Sequence, residues 1–320
     1  MRGVGILFPG QGSQSVGMGA DLFDARPELL GARADEILGF SLRTLCLEGP
    51  EDRLTRTENA QPALFALSYA LWDVVGAESG LSPAGAAGHS LGEYTALTAG
   101  GLIDFDSALS LVALRGRAMG HAANLEDSGM AALLGSDRAG AEEVCRVRRG
   151  EGGRLEVANV NAPGQVVVAG GRDDLEWLAE HSSRLGIRRV IPLAVSGAFH
   201  SGFMGPAQAE LATALETIEW GNPRFPVWSN TSARPHRPGE IGPLLVRQLV
   251  EPVLFSDSLQ DMAAAGIDTF IHVGPGDVTA GLARKTVPDA RVHTISAESD
   301  IASVLDALDS MDAHRGDENA

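Results

Sequence analysis

Lysine is nearly missing from this 320-residue chain: Lys285 is its single lysine, and the rest of its 25 basic residues are arginine. We read that scarcity as the codon bias of a GC-rich genome rather than as a functional feature. Cysteine is scarce as well. Cys46 and Cys145 alone cannot build a disulfide framework, which fits a reducing compartment. No apolar run approaches the ~20 residues that cross a bilayer. No charged-then-apolar leader is visible, because Met1-Arg2 runs straight into the strand-like Val4–Phe8. Positive charge is in deficit too: 25 basic residues face 42 acidic ones, for a net charge of −17. A field of that sign argues against binding nucleic acid or an anionic membrane through overall charge. At 44% hydrophobic and 21% charged residues, the composition is that of a globular protein, which excludes disorder. There is no internal repeat and no low-complexity segment. These features predict a cytoplasmic, monomeric globular protein.

The length allows one large domain carrying a smaller inserted one. Short apolar runs suited to buried strands alternate with segments of helical period, the pattern of an α/β protein with a mainly parallel sheet. Strands are expected at Val4–Phe8, Ala84–Gly88, Val227–Ser229, Thr269–Val273 and Val292–Ile295. Helices are expected at Ala60–Val75, Leu91–Ala99, Phe105–Met119, Ser256–Ala265 and Ile301–Leu308. In the first of these helices Leu64, Leu67, Leu71 and Val74 recur at three- and four-residue spacing.

The middle of the chain reads differently. Strands at Met130–Leu134, Leu155–Asn161, Gln165–Ala169 and Arg189–Val195 are interleaved with helices at Ala139–Arg148 and Leu175–Leu185. That order is βαββαβ, the ferredoxin-like pattern, with Asn161-Ala162-Pro163-Gly164 as the turn between its central strands. Residues 126–195 are therefore expected as a small domain inserted into a large one formed by 1–125 and 196–310. The acidic end, 311–320, is expected as a flexible tail.

The segment with the strongest chemical content is Gly88-His89-Ser90-Leu91-Gly92, a G-x-S-x-G between a strand and an amphipathic helix. A nucleophile elbow has that setting, with glycines where side chains would crowd the turn and a helix N-terminus beside the developing oxyanion. A serine nucleophile needs a base. His200 follows an apolar strand within Ser196–Ser201 and is the better candidate; His89 is expected to be structural. The turn Pro9-Gly10-Gln11-Gly12 after the first strand could aim a backbone N–H at the elbow. It is neither G-x-G-x-x-G nor a Walker sequence, which argues against nucleotide binding.

Taken together, Phe8–Gln14, Gln61–Leu64, Gly88–Tyr94, Arg115–Met119, Asn161–Val167, Val195–Ser201, Val246–Leu249 and Val273–Gly276 resemble, in order, the signatures of the malonyl-CoA:acyl carrier protein transacylases. The resemblance runs over about residues 3 to 309. It implies a large α/β-hydrolase-like domain with a small inserted ferredoxin-like one. It implies an S-malonyltransferase working through an acyl-serine, with no metal and no cofactor beyond malonyl-CoA and a phosphopantetheinylated acyl carrier protein. Residue by residue, it makes Ser90 the nucleophile and His200 its general base. The main-chain carbonyl at Gln248 would orient that base, and the N–H groups of Gln11 and Leu91 would form the oxyanion hole. Arg115 would hold the malonyl carboxylate bidentately, with Gln61 lining the same pocket. In related enzymes a Phe before the histidine, here Phe199, accompanies malonyl selection. Leu91 after the serine is not the Gln that accompanies methylmalonyl selection, so the resemblance favours malonyl at both positions. Asp277 and Gly202-Phe203-Met204 depart from the common pattern, the latter near the pocket.

Other readings stay open. A hydrolase, such as a general esterase or a proofreading enzyme acting on acyl carrier proteins, would share the elbow, but one acting on neutral acyl chains would have no need of a buried Arg115. A transferase for another extender unit, and a non-catalytic carrier-docking module, complete the set. Carrier proteins are usually acidic, so docking would need a local basic patch; Arg146, Arg148, Arg149, Arg154, Arg184, Arg188 and Arg189 concentrate arginine in the insertion. Fatty-acid and polyketide synthesis are both open.

Overall fold

A computed structural model describes residues 3–308 of the chain. It opens with strand β1, Gly3–Phe8, followed by five short helices, α1 to α5 (Leu22–Ala25, Pro27–Leu30, Ala32–Leu38, Leu42–Glu48 and Glu51–Leu54). None of those is long enough to display a period, which is why none was legible. Helix α6, Thr57–Ser79, strand β2, Gly85–Gly88, helix α7, Gly92–Ala99, and helix α8, Phe105–Ala123, come next. Then follow β3 (Ser128–Leu134), α9 (Arg138–Gly150), β4 (Leu155–Ala162), β5 (Gln165–Gly171), α10 (Arg172–His181) and β6 (Arg189–Pro192). The last stretch has α11 (Gly205–Leu215), α12 (Ile241–Gln248), α13 (Phe255–Ala264), β7 (Ile267–Val273), α14 (Val278–Thr286) and β8 (Arg291–Ile295), and is helical again over 301–308.

Two four-stranded sheets organise these elements. The first is parallel throughout, in the order β2-β1-β7-β8. Its strands have both faces covered, so Ile6, Leu7 and Phe8 are buried in succession. Phe8 pairs with Gly88, so β1 and β2 end level, and the loops carrying Gln11 and Ser90 leave side by side. Open parallel sheets gather function at that carboxyl edge. Leu64, Leu67, Leu71 and Val74 of α6 are all buried, as their spacing predicts. Burying each such side chain fully contributes about 1.5–3 kcal/mol.

The second sheet is antiparallel, in the order β4-β5-β3-β6, from a βαββαβ chain segment. It is tied to the rest through β4: the Val160 N–H donates to Val253 O (2.8 Å) and the Val253 N–H to Ala158 O (2.9 Å). Those bonds bring β4 against the residues between α12 and α13.

Several expected bounds change. Val227–Ser229 is not a ladder strand but two isolated bridges, Val227 to Ala86 and Trp228 to Pro235, because Pro226 and Pro235 have no N–H to extend the pairing. Strand β6 stops at Pro192 for the same reason, with one further bond from the Leu193 N–H to Met130 O. The helix expected through Leu185 breaks after His181 into a 3-10 turn, Ser182–Leu185, ended by the left-handed Gly186. Helix α6 starts earlier than expected and accommodates Pro62 in its second turn. The segment 311–320 lies outside the described residues. Among the described residues, no helix is long and apolar enough to cross a membrane.

Candidate active site

Ser90 sits in the turn from β2 into α7 with φ of +51°, a left-handed conformation that is costly for a residue with a side chain. Two close approaches shape the turn. A Cβ on Gly88 would fall 1.9 Å from the Gly92 carbonyl, and one on Gly92 would fall 2.4 Å from Phe8 O. Glycine is thus required at both flanks, the reason a G-x-S-x-G carries information here. Asn230 clamps the same turn from a distant loop, accepting from the Ser90 N–H (2.7 Å) and donating to Gly88 O (2.7 Å).

His200 also has positive φ, +56°, and its Nε2 lies 2.9 Å from Ser90 Oγ. Its Nδ1 lies 2.7 Å from the main-chain carbonyl of Gln248. A carbonyl can only accept, so Nδ1 carries the proton and Nε2 turns its lone pair towards the serine. Burial, reinforced by the positive charge of Arg115, lowers the His200 pKa to about 3. The imidazole is therefore neutral, the form a base needs.

Arg115, from α8, has no exposed surface. Its guanidinium donates to Gln61 Oε1 (2.7 Å), Gln248 Oε1 (2.9 Å) and Ser90 Oγ (3.0 Å), and lies 5.3 Å from the Tyr94 ring. Among the described residues no carboxylate forms an ion pair with it, and its Nε has no partner. Burial lowers its pKa from the usual value, yet an arginine remains charged. A buried, unpaired cation beside a nucleophile is a receptor for an anion.

The cleft that Ser90 and His200 line has a volume of about 180 Å³ and lies between the two sheets, with Arg115 behind Ser90 rather than in its wall. Gln11, Gln61, Leu91 and Phe199 line it, as expected, facing Met130, Val167 and Val195 from the other side. Among the described residues the N–H groups of Gln11 and Leu91 have no hydrogen-bond partner, so both are free to meet an oxyanion. His89 does more than pack on Phe255: its Nε2 meets Asn161 Oδ1 at 2.7 Å, and both residues line the cleft. Phe203 and Met204 are buried outside it.

Sequence reasoning missed the polar layer beneath the elbow. Glu93, Asn230 and His236 join there, with Glu93 Oε1 2.7 Å from His236 Nε2. Asn230 and His236 lie in an irregular loop whose period carries no signal; Glu93, at the elbow's own helix start, reads as an ordinary N-terminal acid. The arginines of the antiparallel-sheet segment divide. Arg146 pairs with Glu143, Arg148 with Asp174 and Arg154 with Glu126, while Arg149 donates to Leu155 O. Arg184, Arg188 and Arg189 are exposed. Among the described residues, no group of three or more His, Cys, Asp or Glu side chains could hold a metal ion.

A nucleophile, a neutral base and free N–H groups in one cleft, with a buried cation against the nucleophile, define an acyl-transfer site for an acid-bearing acyl group. The model of the acyl transferase domain matches residues 6–304, so the chain belongs to that family. Within it, the chain is 40% identical to the malonyl CoA-acyl carrier protein transacylase of Bacillus subtilis, over 92% of this chain and 93% of that one. The solved malonyl-CoA:acyl carrier protein transacylase of Xanthomonas oryzae superposes with a TM-score of 0.90 at 38% identity, covering 96% of this chain and 98% of its own. A malonyl-transacylase solved in complex with a type II polyketide-synthase acyl-carrier protein also has a TM-score of 0.90, at 37% identity, covering 95% of this chain and 99% of its own.

Proposed function

We propose that this protein transfers the malonyl group of malonyl-CoA to the phosphopantetheine thiol of an acyl carrier protein through an ester on Ser90. The observation that carries the substrate choice is Arg115, wholly buried, without a carboxylate partner, and 3.0 Å from Ser90 Oγ. A malonyl carboxylate is the group such a guanidinium accepts bidentately, and its binding draws the guanidinium off the serine oxygen.

The thioester carbonyl then lies against Ser90 with its oxygen between the Gln11 and Leu91 N–H groups. Ser90 Oγ attacks the carbonyl carbon while His200 Nε2 takes the serine proton. The oxyanion is held by the two N–H groups and the start of α7. Collapse breaks the C–S bond, and His200 returns the proton to the departing coenzyme A thiolate. In the second half the carrier thiol gives its proton to His200 and attacks the ester, and the serine leaves reprotonated. A malonyl carboxylate on Arg115 also offsets the charge that depresses His200, so substrate makes the base stronger. The chain's own residues perform both transfers, without a resident cofactor.

In this reading the parallel-sheet part (1–125 and 196–310) is a hydrolase-like catalytic domain. The part over 126–195 is a ferredoxin-like insertion that forms the other wall of the cleft. Exposed Arg184, Arg188 and Arg189 of the insertion meet the acidic carrier, and the enzyme works as a cytoplasmic monomer. A hydrolase of neutral acyl chains would leave Arg115 without a purpose. The test is mass spectrometry after incubation with malonyl-CoA alone. One malonyl mass on the peptide containing His89-Ser90-Leu91 is expected. Transfer to carrier with Ser90 never modified would overturn the ester route.

A further inference from the structure

Glu93 takes no part in the steps above, yet it is a fully buried carboxylate three residues from Ser90. Removing a carboxylate from water is costly unless it is paired and hydrogen-bonded. Its Oε1 faces His236 Nε2, while Oε2 accepts from Gln248 Nε2 (2.6 Å) and from the Asn230 N–H (3.1 Å). A carboxylate accepts only, so the Gln248 carboxamide must turn its NH2 to Glu93. Its Oε1 is thereby turned to Arg115, which donates to it at 2.9 Å. One amide thus lies head to tail between the two buried charges, each strengthening its polarisation. The main chain of the same residue holds His200.

We infer that Glu93, acting through Gln248, is the resident counter-charge of Arg115, a positioning residue that tempers the guanidinium's hold on the malonyl carboxylate and eases proton uptake by His200. The inference rests on the reading of Arg115 as carboxylate anchor and His200 as base. With Glu93 charged, the empty site is balanced. The malonyl carboxylate then makes it negative, which favours the imidazolium formed as serine is deprotonated. Without that charge Arg115 stands bare: it holds malonate more tightly in the ground state and opposes protonation of His200. Binding that is tighter before the reaction than during it slows the step.

The separating experiment uses Glu93→Gln, which keeps the size and most of the hydrogen bonds. In a Ser90→Ala background, where nothing turns over, malonyl-CoA is titrated by calorimetry. Glu93→Gln should lower Kd on the order of tenfold, the scale of one screened interior charge. In the enzyme with Ser90 intact, single-turnover acylation at saturating malonyl-CoA should slow by a similar factor. With Arg115→Ala added, Glu93→Gln should shift Kd less than about twofold, because coupled residues lose their coupling together. A purely structural Glu93 would weaken binding, with or without Arg115, and a raised Kd in either background overturns the inference. If Glu93→Gln folds poorly, Gln248→Met cuts the relay but keeps the main-chain carbonyl; it should also lower Kd, and an unchanged or raised Kd counts against the relay. Should Arg115→Ala alone leave malonyl-CoA binding unchanged, the anchor reading itself fails, and this inference with it. A normal Arg115→Ala loss with no Glu93 effect removes only the inference.

Discussion

The imidazole of His200 is held by the main chain of Gln248, 2.7 Å from Nδ1 to the carbonyl oxygen. A carbonyl fixes tautomer and direction as a triad carboxylate would, but brings no full negative charge, so the base remains weak until substrate arrives. His200→Ala should reduce the rate of Ser90 acylation by malonyl-CoA ~10² to 10⁴-fold. Stopped-flow release of coenzyme A measures it; a loss below tenfold would take His200 out of the role of base.

The low pKa of His200 makes a statement about stability. Burial lowers His89 and His272 as well. Above about pH 6.5 these rings are neutral folded or unfolded, and contribute no pH dependence. Below it the unfolded chain binds protons that the native state refuses, until His200 itself titrates near 3. Stability therefore falls as pH drops through that window, by up to ~1.4 kcal/mol per pH unit for each such ring. Urea melts at pH 7 and pH 5 test this, and equal midpoints would contradict it. Acylation should not lose its base near pH 6.5.

Glycines of the fold separate by what surrounds them. Gly88→Ala would put a methyl 1.9 Å from the Gly92 carbonyl, so the elbow must open, destabilising the protein by about 1–3 kcal/mol or more and abolishing acylation. Gly76, exposed within α6 and with nothing near its Cβ position, should accept alanine with a gain of about 0.5–1 kcal/mol. Thermal melts of the two variants should move in opposite directions.

The contrast shows what was legible in the sequence. Glycines at 88 and 92, small residues through β2 and the apolar runs of β1 and β7 carry their geometry locally, and elbow and parallel sheet follow from them, as the βαββαβ order follows from the alternation of periods over 128–192. Ser90, His200 and Arg115 could be named because the family's motifs mark them, although their contacts span 25 to 110 residues of chain. Asn230, Glu93 and His236 could not. Their partners lie up to 143 residues away, and nothing in local composition distinguishes a buried Glu93 from a solvated one. The short helices between Leu22 and Leu54 escaped for a simpler reason, being one or two turns each.

Carrier docking should depend on salt. Arg184, Arg188 and Arg189 are exposed, unlike Arg148, which pairs with the buried Asp174. Raising ionic strength should raise the KM for the carrier protein more than the KM for malonyl-CoA, since screening acts on exposed, long-range charge. Arg188→Glu with Arg189→Glu should raise the carrier KM several-fold at low salt and leave Ser90 acylation by malonyl-CoA intact. An unchanged carrier KM would move the docking surface elsewhere.

On the proposed reading Arg115 decides the substrate. Malonyl and acetyl groups differ by one carboxylate, so selection must reward that charge or penalise its absence. A guanidinium with no exposed surface does both, pairing with malonate and staying buried without a carboxylate in contact beside acetate. Loss of one partner from a buried pair costs about 3–5 kcal/mol. Arg115→Ala should accordingly lower kcat/KM for malonyl-CoA by roughly two to three and a half orders of magnitude, at 1.4 kcal/mol per tenfold. Acetyl-CoA should lose little or gain, because the variant also removes the cation that depresses His200 and the donor at Ser90 Oγ. Water should compete better for the acyl-serine in the emptied space, raising hydrolysis relative to transfer. Acylation of Ser90 by both thioesters, followed in wild type and variant, gives the answer: a malonyl preference that survives the substitution would mean that the carboxylate is anchored elsewhere.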